Sequence, residues 1–341
     1  MDIAAFDYQL PPELIAQEPA RPRDSSRMLV VHRASGELEH RCFRDFPGYL
    51  GPDDTLVLND TRVIRARLRG RRLPGGAAAE LLLLGEREPG LWEALASPGR
   101  RLPVGRRIVF GDGALWAEIV GRSPTGGRLV RFSHPEGVQE ALERLGEVPL
   151  PPYIHRPVDR EEDYQTVYAH APGAAAAPTA GLHFTPELLA AARARVRCLV
   201  TVTLHIGLAT FRPMRARRVE DHEMHAESYA VPEAAARAVS AAVAEGRRVV
   251  AVGTSTVRAL ESCADERGRV HAGAGETGLF IIPGYRFRVV GALLTNFHVP
   301  RSTLLLLVCA FAGRELILRA YQEAVAQRYR FLSFGDCMLI L

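Results

Sequence analysis

Between about Val63 and Phe132 the sequence changes texture, and this change limits the possible folds more than any other feature. Six short runs are apolar or alternate with period two: Val63–Leu68, Ala79–Leu84, Leu91–Ala96, Arg107–Phe110, Leu115–Val120 and Arg128–Phe132. Between them stand Pro74-Gly75-Gly76, Pro89-Gly90, Gly111-Asp112-Gly113 and Thr125-Gly126-Gly127. Alternate residues of a strand face opposite sides, and glycine and proline turns reverse the chain. The stretch therefore reads as a small all-β barrel or sandwich. A helix is expected next at Pro135–Leu145, and the proline-rich Pro149–His155 reads as an extended connector.

Outside this stretch, strand-like and helix-like segments alternate. Strands are expected at Met28–His32, Thr55–Leu58, Leu199–Leu204, Tyr229–Val231, Val249–Val252 and Val289–Phe297. Helices are expected behind Thr185-Pro186, over Pro232–Glu245 and over Leu304–Phe311. Phe6–Gln17 reads as an anchoring segment with a short helix, and the apolar C-terminal tail as a segment that packs. A chain of 341 residues is long for a single core. The expected fold class is α/β (α+β): a main mixed α/β domain of residues 1–62 and 150–341, interrupted by an inserted small all-β barrel-like domain of residues 63–149. Gly273-Ala274-Gly275-Glu276-Thr277-Gly278 has the spacing of a dinucleotide fingerprint. The strand-like Leu279–Ile282 follows where a helix should open, so it reads as a turn.

Several function classes are excluded by what is missing. The longest apolar run, Leu304–Ala312, falls short of the roughly 20 residues that cross a bilayer. MDIAAFDYQLPPEL has neither the basic start nor the apolar core of a secretion signal, so a cytoplasmic location is expected; a monomer without a membrane partner is expected as well. Cys42, Cys198, Cys263, Cys309 and Cys337 are scattered and read as reduced residues rather than a disulfide or zinc framework. All 43 basic residues are arginine, which excludes Schiff-base lysine chemistry and a P-loop lysine. A net charge of +4 does not require a nucleic-acid partner, yet arginines crowd at Arg62, Arg65, Arg67, Arg69, Arg71 and Arg72 and again at Arg100, Arg101, Arg106 and Arg107. Guanidinium clusters suit a phosphate backbone; a solvated strand face accounts for them equally well.

Asparagine occurs only at Asn59 and Asn296, each inside a dense polar phrase, Asn59-Asp60-Thr61-Arg62 and Thr295-Asn296-Phe297-His298. Within Ala176–Arg212, Gly181-Leu182-His183 and His205-Ile206-Gly207-Leu208 flank a short helix and a strand like two walls of one pocket. In Asp221–Glu227 the histidines His222 and His225 are three apart rather than the four of a zinc-protease helix, so no metal site is expected. Gly253-Thr254-Ser255-Thr256-Val257-Arg258 opens a helix and favours an anionic group such as a carboxylate; capping by Ser255 or Thr256 is the simpler alternative.

Taken together, Pro178–Phe184 (PTAGLHF), Thr203–Pro213 (TLHIGLATFRP), His222–Tyr229, Gly253–Ser262, Leu279–Tyr285, Leu294–Leu305 and Tyr329–Ile340 resemble the S-adenosylmethionine:tRNA ribosyltransferase-isomerases of queuosine biosynthesis. Phe6–Gln17, Arg23–Val30 and Val57–Leu68 match as well, so the resemblance spans the chain. It implies an α/β domain with a β-barrel insert and a reaction on tRNA whose wobble base is aminomethyl-deazaguanine. The ribosyl part of S-adenosylmethionine is transferred and rearranged, giving epoxyqueuosine, adenine and methionine. S-adenosylmethionine is then a co-substrate, and no cofactor is implied. The chain departs from the family pattern at Arg65, Ala174, Ala209, Ala226 and Gly291, where proline, serine, glycine, serine and aspartate are usual. Gly291 is expected to remove a carboxylate close to Asn296.

Such a reaction needs a base for a proton beside the sulfonium, help for departing adenine and a neutral amine nucleophile. The candidates for this acid–base work are His183, His205, His225, His298, Glu227 and Asp60, with the base unassigned. Substrate contacts are expected from Asn59, Arg62, Thr179, Gly181, Gly207, Thr210, Arg212, Thr254, Ser255, Arg258, Asn296, Ser302 and Thr303, and tRNA contacts from Arg65, Arg67, Arg69, Arg100 and Arg101. Two other readings remain. One is a tRNA-binding module without chemistry, and the other a metal-dependent hydrolase built on His205, His222 and His225.

Overall fold

Thr55–Asn59, Val249–Val252, Ala292–Asn296 and Cys337–Ile340 are each buried along their whole length. Continuous apolar runs of this kind suit strands covered on both faces. In the computed structural model, which describes residues 1–341 except 112, 114, 124–125, 134–136, 208–213 and 215, they form the centre of a nine-stranded sheet. Its order is Gly273–Thr277, Glu227–Val231, Cys198–Leu204, Thr55–Asn59, Val249–Val252, Ala292–Asn296, Cys337–Ile340, Arg27–Val31, Leu38–Cys42. Cys198–Leu204, Thr55–Asn59, Val249–Val252 and Ala292–Asn296 run parallel, so Leu204, Asn59, Val252 and Asn296 end on one edge. Cys337–Ile340 and Arg27–Val31 run the opposite way, which brings Ser26 to the same edge. Among the described residues no helix is long and apolar enough to cross a membrane.

The described residues divide into two compact units. One comprises Met1–Arg62, Pro151–Ala171 and Ala177–Leu341, and contains this sheet; the other comprises Val63–Leu150 and Pro172–Ala176. In the second unit Arg67–Leu73, Ala78–Glu88, Leu91–Ser97, Arg128–Phe132, Leu115–Arg122 and Arg107–Phe110 pair in that order, and the last returns to the first to close an antiparallel barrel. Leu68, Leu81, Leu83, Ile108, Phe110 and Val130 fill its interior, joined by Val138, Ala141 and Leu142 of the helix Val138–Leu145. The chain is thus of mixed α/β class with a closed small β-barrel, as its sequence texture implies.

Several elements differ from expectation. The first barrel strand lies at Arg67–Leu73 rather than Val63–Leu68. It can carry four arginines because Leu68 faces inward while Arg69 and Arg71 face out, and Gly70 lets Phe110 approach where a Cβ would stand 2.5 Å from the Val109 carbonyl. The fingerprint-like Gly273–Thr277 is an edge strand paired with Glu227–Val231, not a turn, because backbone bonds alone hold it. With that edge filled, Leu279–Ile282 forms no strand. The helix Arg314–Ala326 was not foreseen, although its buried Ile317, Ala320, Tyr321 and Ala324 have helical spacing. Near the N-terminus Phe6–Gln17 forms only the short 3-10 turn Pro12–Leu14.

One side chain ties the sheet edge together. The Asn59 amide donates to the Leu204 carbonyl (3.0 Å) and Ser255 Oγ (2.9 Å) and accepts from the N–H groups of Leu204 (3.0 Å) and Thr61 (3.1 Å). All four of its hydrogen-bonding positions are filled, and the residue is fully buried. Asn59→Ala would leave buried backbone groups unpaired, each costing about 1–3 kcal/mol. Urea unfolding of this variant should show a loss of about 3 kcal/mol; a loss below about 1 kcal/mol would mean that Asn59 is not a clamp.

Candidate functional site

At this edge a cleft of about 490 Å³, partly open to solvent, lies within the first unit. Its walls come from Ala177–Ala180, Ile206 with Glu227, the Gly253 turn with Arg258, and Thr295, Asn296, His298 and Leu304. Gly253 has φ +91°, a backbone conformation that glycine adopts at little cost, and it opens the helix Thr254–Ser262. Among the described residues no side chain caps this helix, contrary to the capping alternative. Ser255 Oγ instead accepts from Asn59, and Thr256 Oγ1 donates to the Val252 carbonyl at 2.6 Å.

Glu227 and Arg258 form a buried ion pair on the cleft wall. Glu227 Oε1 also accepts from the Gly207 N–H at 2.8 Å, and Arg258 donates to the carbonyls of Leu279 (3.1 Å) and Thr277 (3.2 Å). Removing one partner would strand a buried charge, so the pair acts as a unit. Neither group is an isolated carboxylate or guanidinium of the kind a free general acid or carboxylate clamp would require.

The four candidate histidines separate by environment. His183 is buried; its Nδ1 meets Ser26 Oγ at 2.7 Å and its Nε2 meets Asn296 Nδ2 at 3.3 Å. The amide donates, so the neutral ring carries its proton on Nδ1. Burial, aided by the charges of Arg330 and Arg23, pushes the pKa of His183 down to about 3. His298, with Nε2 at 2.8 Å from Thr295 Oγ1, is pushed by burial to about 3 as well. Both are neutral across the physiological range and cannot cycle through imidazolium there. His205 is half-buried, with Nδ1 at 2.7 Å from Thr61 Oγ1. Burial lowers its pKa, and the nearby Asp60 carboxylate opposes the shift. His225 is exposed on the segment before Glu227, away from the cleft lining.

Other expected residues have structural tasks. Gly181 is a glycine because a Cβ there would stand 2.0 Å from Tyr168 Oη, not to let a ligand approach. Ser302 caps the helix Thr303–Ala312, accepting from Leu305 N–H at 3.2 Å, and Thr303 is the first residue of that helix. Asn59 is wholly committed to its clamp, and Asp60 accepts from Thr203 Oγ1 at 2.7 Å. Thr179, Thr254, Ser255 and Asn296 do line the cleft, whereas Arg62 is exposed. Thr210 and Arg212 lie outside the described residues. Gly291 pairs with Val249 at the other end of its strand, five residues or about 17 Å from Asn296, so no carboxylate there would reach the cleft. Sequence reasoning missed Ser26 and Thr61 as partners of the histidines; both are ordinary hydroxyls whose importance comes from distant chain segments.

In the barrel unit, Arg65 donates to the Glu143 carbonyl, Arg67 to the Leu150 carbonyl, and Arg69 pairs with Glu147 at 3.1 Å. Arg100 and Arg101 are exposed on the short turn Gly99–Arg101. That turn is held by buried Leu102 and by Arg128, which donates to the carbonyls of Leu102 (3.0 Å) and Gly99 (2.9 Å). Among the described residues His205, His222 and His225 do not form a metal-ligating group, and no other three His, Cys, Asp or Glu do.

The chain matches the family described as "Queuosine biosynthesis protein" over residues 3–340. It is 57% identical, over 343 aligned positions and the full length of both chains, to the S-adenosylmethionine:tRNA ribosyltransferase-isomerase of Moorella thermoacetica. It is 58% identical, again over both full lengths, to the protein of the same name from Symbiobacterium thermophilum. The crystal structure of S-adenosylmethionine tRNA ribosyltransferase from Thermotoga maritima is similar at 40% identity and a TM-score of 0.57, covering 99% of this chain and 100% of that one. With a family match across nearly its whole length and full-length relatives above half identity, the chain belongs to the queuosine biosynthesis family of S-adenosylmethionine:tRNA ribosyltransferase-isomerases.

Proposed function

We propose that the chain transfers and isomerises the ribosyl group of S-adenosylmethionine onto the aminomethyl-deazaguanine wobble base of tRNA, releasing adenine and methionine. It acts in the cytoplasm and uses S-adenosylmethionine as co-substrate without a further cofactor. Residues 1–62 and 150–341 carry the chemistry, and residues 63–149 help to hold the RNA. The observation that carries this reading is full-length family membership, with the cleft at the carboxyl ends of the parallel strands, where α/β folds bind ligands.

His205 is the base. Of the four histidines it alone combines partial burial, a positioned ring and a pKa not driven to the bottom of the range. Its neutral form removes a proton from the ribose carbon beside the sulfonium, whose positive charge acidifies that carbon. Thr61 fixes the ring through Nδ1. The Glu227–Arg258 pair holds the strand Glu227–Val231 to the helix Thr254–Ser262 and gives the cleft wall no net charge.

Arg100 and Arg101 are the proposed RNA contacts, because their turn is stapled in place and neither shares the carboxylate and carbonyl partners that engage Arg65, Arg67 and Arg69. An exposed guanidinium pair on a held turn suits phosphate.

Precursor-modified anticodon stem-loop incubated with S-adenosylmethionine should release adenine; a folded protein that releases none overturns the activity. His205→Ala should lower kcat by at least about 10²-fold while leaving the melting temperature unchanged. The wild-type kcat/KM should fall on the acid side with a midpoint below the ordinary histidine value of about 6.5, because burial favours the neutral form. An acid limb that persists in a residually active His205→Gln enzyme removes His205 from the role. Replacing Arg100 and Arg101 together by Gln should raise the KM for RNA and lower the slope of log affinity against log salt by about 2, with S-adenosylmethionine binding intact. An unchanged salt slope would exclude both as phosphate contacts.

A further inference from the structure

The most informative atom in the cleft is Asn296 Oδ1. Asn296 Nδ2 faces the carbonyls of Leu332 (3.2 Å) and Asp336 (3.5 Å), which can only accept, and His183 Nε2. These partners fix the amide orientation, so the oxygen must be the other branch. That oxygen is buried and has no hydrogen-bond partner among the described residues, on a residue only 2% exposed that lines the cleft. A buried acceptor without a donor costs about 1–3 kcal/mol, which a ligand N–H would recover.

Next to it lies a second unfilled group. The helix Thr254–Ser262 starts at Gly253 with no side-chain cap, since the Ser255 and Thr256 hydroxyls bond elsewhere. Its first N–H groups and the positive end of its dipole therefore face the cleft that Thr254 and Ser255 line. The strand register brings the two features together. Val252 pairs with Leu294, and Gly253 N–H donates to the Leu294 carbonyl at 2.8 Å. The helix therefore opens beside the strand that carries Asn296, and Thr254, Ser255 and Asn296 line the same cleft.

We infer that this cleft holds the α-amino-carboxylate end of S-adenosylmethionine, with the carboxylate on the N–H groups of Thr254–Thr256 and the α-ammonium on Asn296 Oδ1. The inference rests on the proposed use of S-adenosylmethionine and assigns one part of that molecule to one part of the cleft. A donor site and an acceptor site on the lining of one cleft match two groups borne on one carbon. The cleft wall carries no net charge, because Glu227 and Arg258 cancel and His183 and His298 are neutral, which suits a zwitterion better than an anion. Ala177, Pro178, Ala180, Ile206 and Leu304 supply apolar surface for the methylene arm.

Calorimetric titration of the full chain with three ligands tests this: S-adenosylmethionine, its decarboxylated analogue, and 5′-methylthioadenosine, which lacks the amino-acid arm. For the wild type, the decarboxylated analogue should bind at least about tenfold more weakly than S-adenosylmethionine. Asn296→Ala should weaken S-adenosylmethionine by about tenfold and leave methylthioadenosine unchanged, and the penalty for lost carboxylate should persist in the variant. An equal loss for both ligands would mean that Oδ1 reads the adenosine end and would overturn the ammonium assignment. Equal wild-type affinity for S-adenosylmethionine and the decarboxylated analogue would overturn the carboxylate assignment, and this comparison needs no variant. A folded wild type that binds none of the three would instead remove the reading on which the inference stands.

Discussion

The Asn59 amide is the interaction on which the rest of the site depends. Parallel strands end with backbone groups that no further strand pairs, and here those ends must also turn in different directions. One side chain satisfies Leu204 in both senses, fixes Thr61, and reaches Ser255 on the next helix. His205 follows Leu204 and bonds Thr61, so its position is set by the same clamp. A residue that looks like a ligand contact in sequence is more valuable as a bracket, because a substrate could replace at most part of four simultaneous bonds.

Electrostatics then divide the site. Burial removes charge from His183 and His298 and pairs Glu227 with Arg258, so the deep cleft presents dipoles and hydrogen bonds rather than free ions. Unpaired charge in so closed a place would be costly, and fixed dipoles do not reorganise as a reaction proceeds. His205, by contrast, is half-buried, with the half-buried Asp60 carboxylate nearby. The histidines thus differ in environment, a difference that a list of histidines does not reveal.

The barrel shows how a sequence dominated by arginine still closes a core. Alternation sends Leu68, Leu81 and Leu83 inward and leaves the arginines outside, where Glu80, Glu118 and Glu147 pair with several of them. The helix Val138–Leu145 completes the core with three apolar residues. Arg128 holds the backbone of the Gly99–Arg101 turn, on which Arg100 and Arg101 are exposed.

Much of this was legible in the sequence. Period-two alternation with glycine turns determined the barrel, since alternation and turn chemistry are local properties; unbroken apolar runs determined the strands Thr55–Asn59 and Val249–Val252 for the same reason. Long family phrases determined kinship. What the tertiary structure alone decided was the division of labour among the polar residues. Asn59 became a clamp, Gly181 a contact for Tyr168, and Glu227 and Arg258 a pair, because each partner comes from another segment of the chain. Asn296 Oδ1 likewise gained meaning only when Leu332 and Asp336, far along the chain, arrived to occupy its nitrogen. Hydrogen-bond capacity is finite, and only the assembled fold determines which of it remains for a ligand.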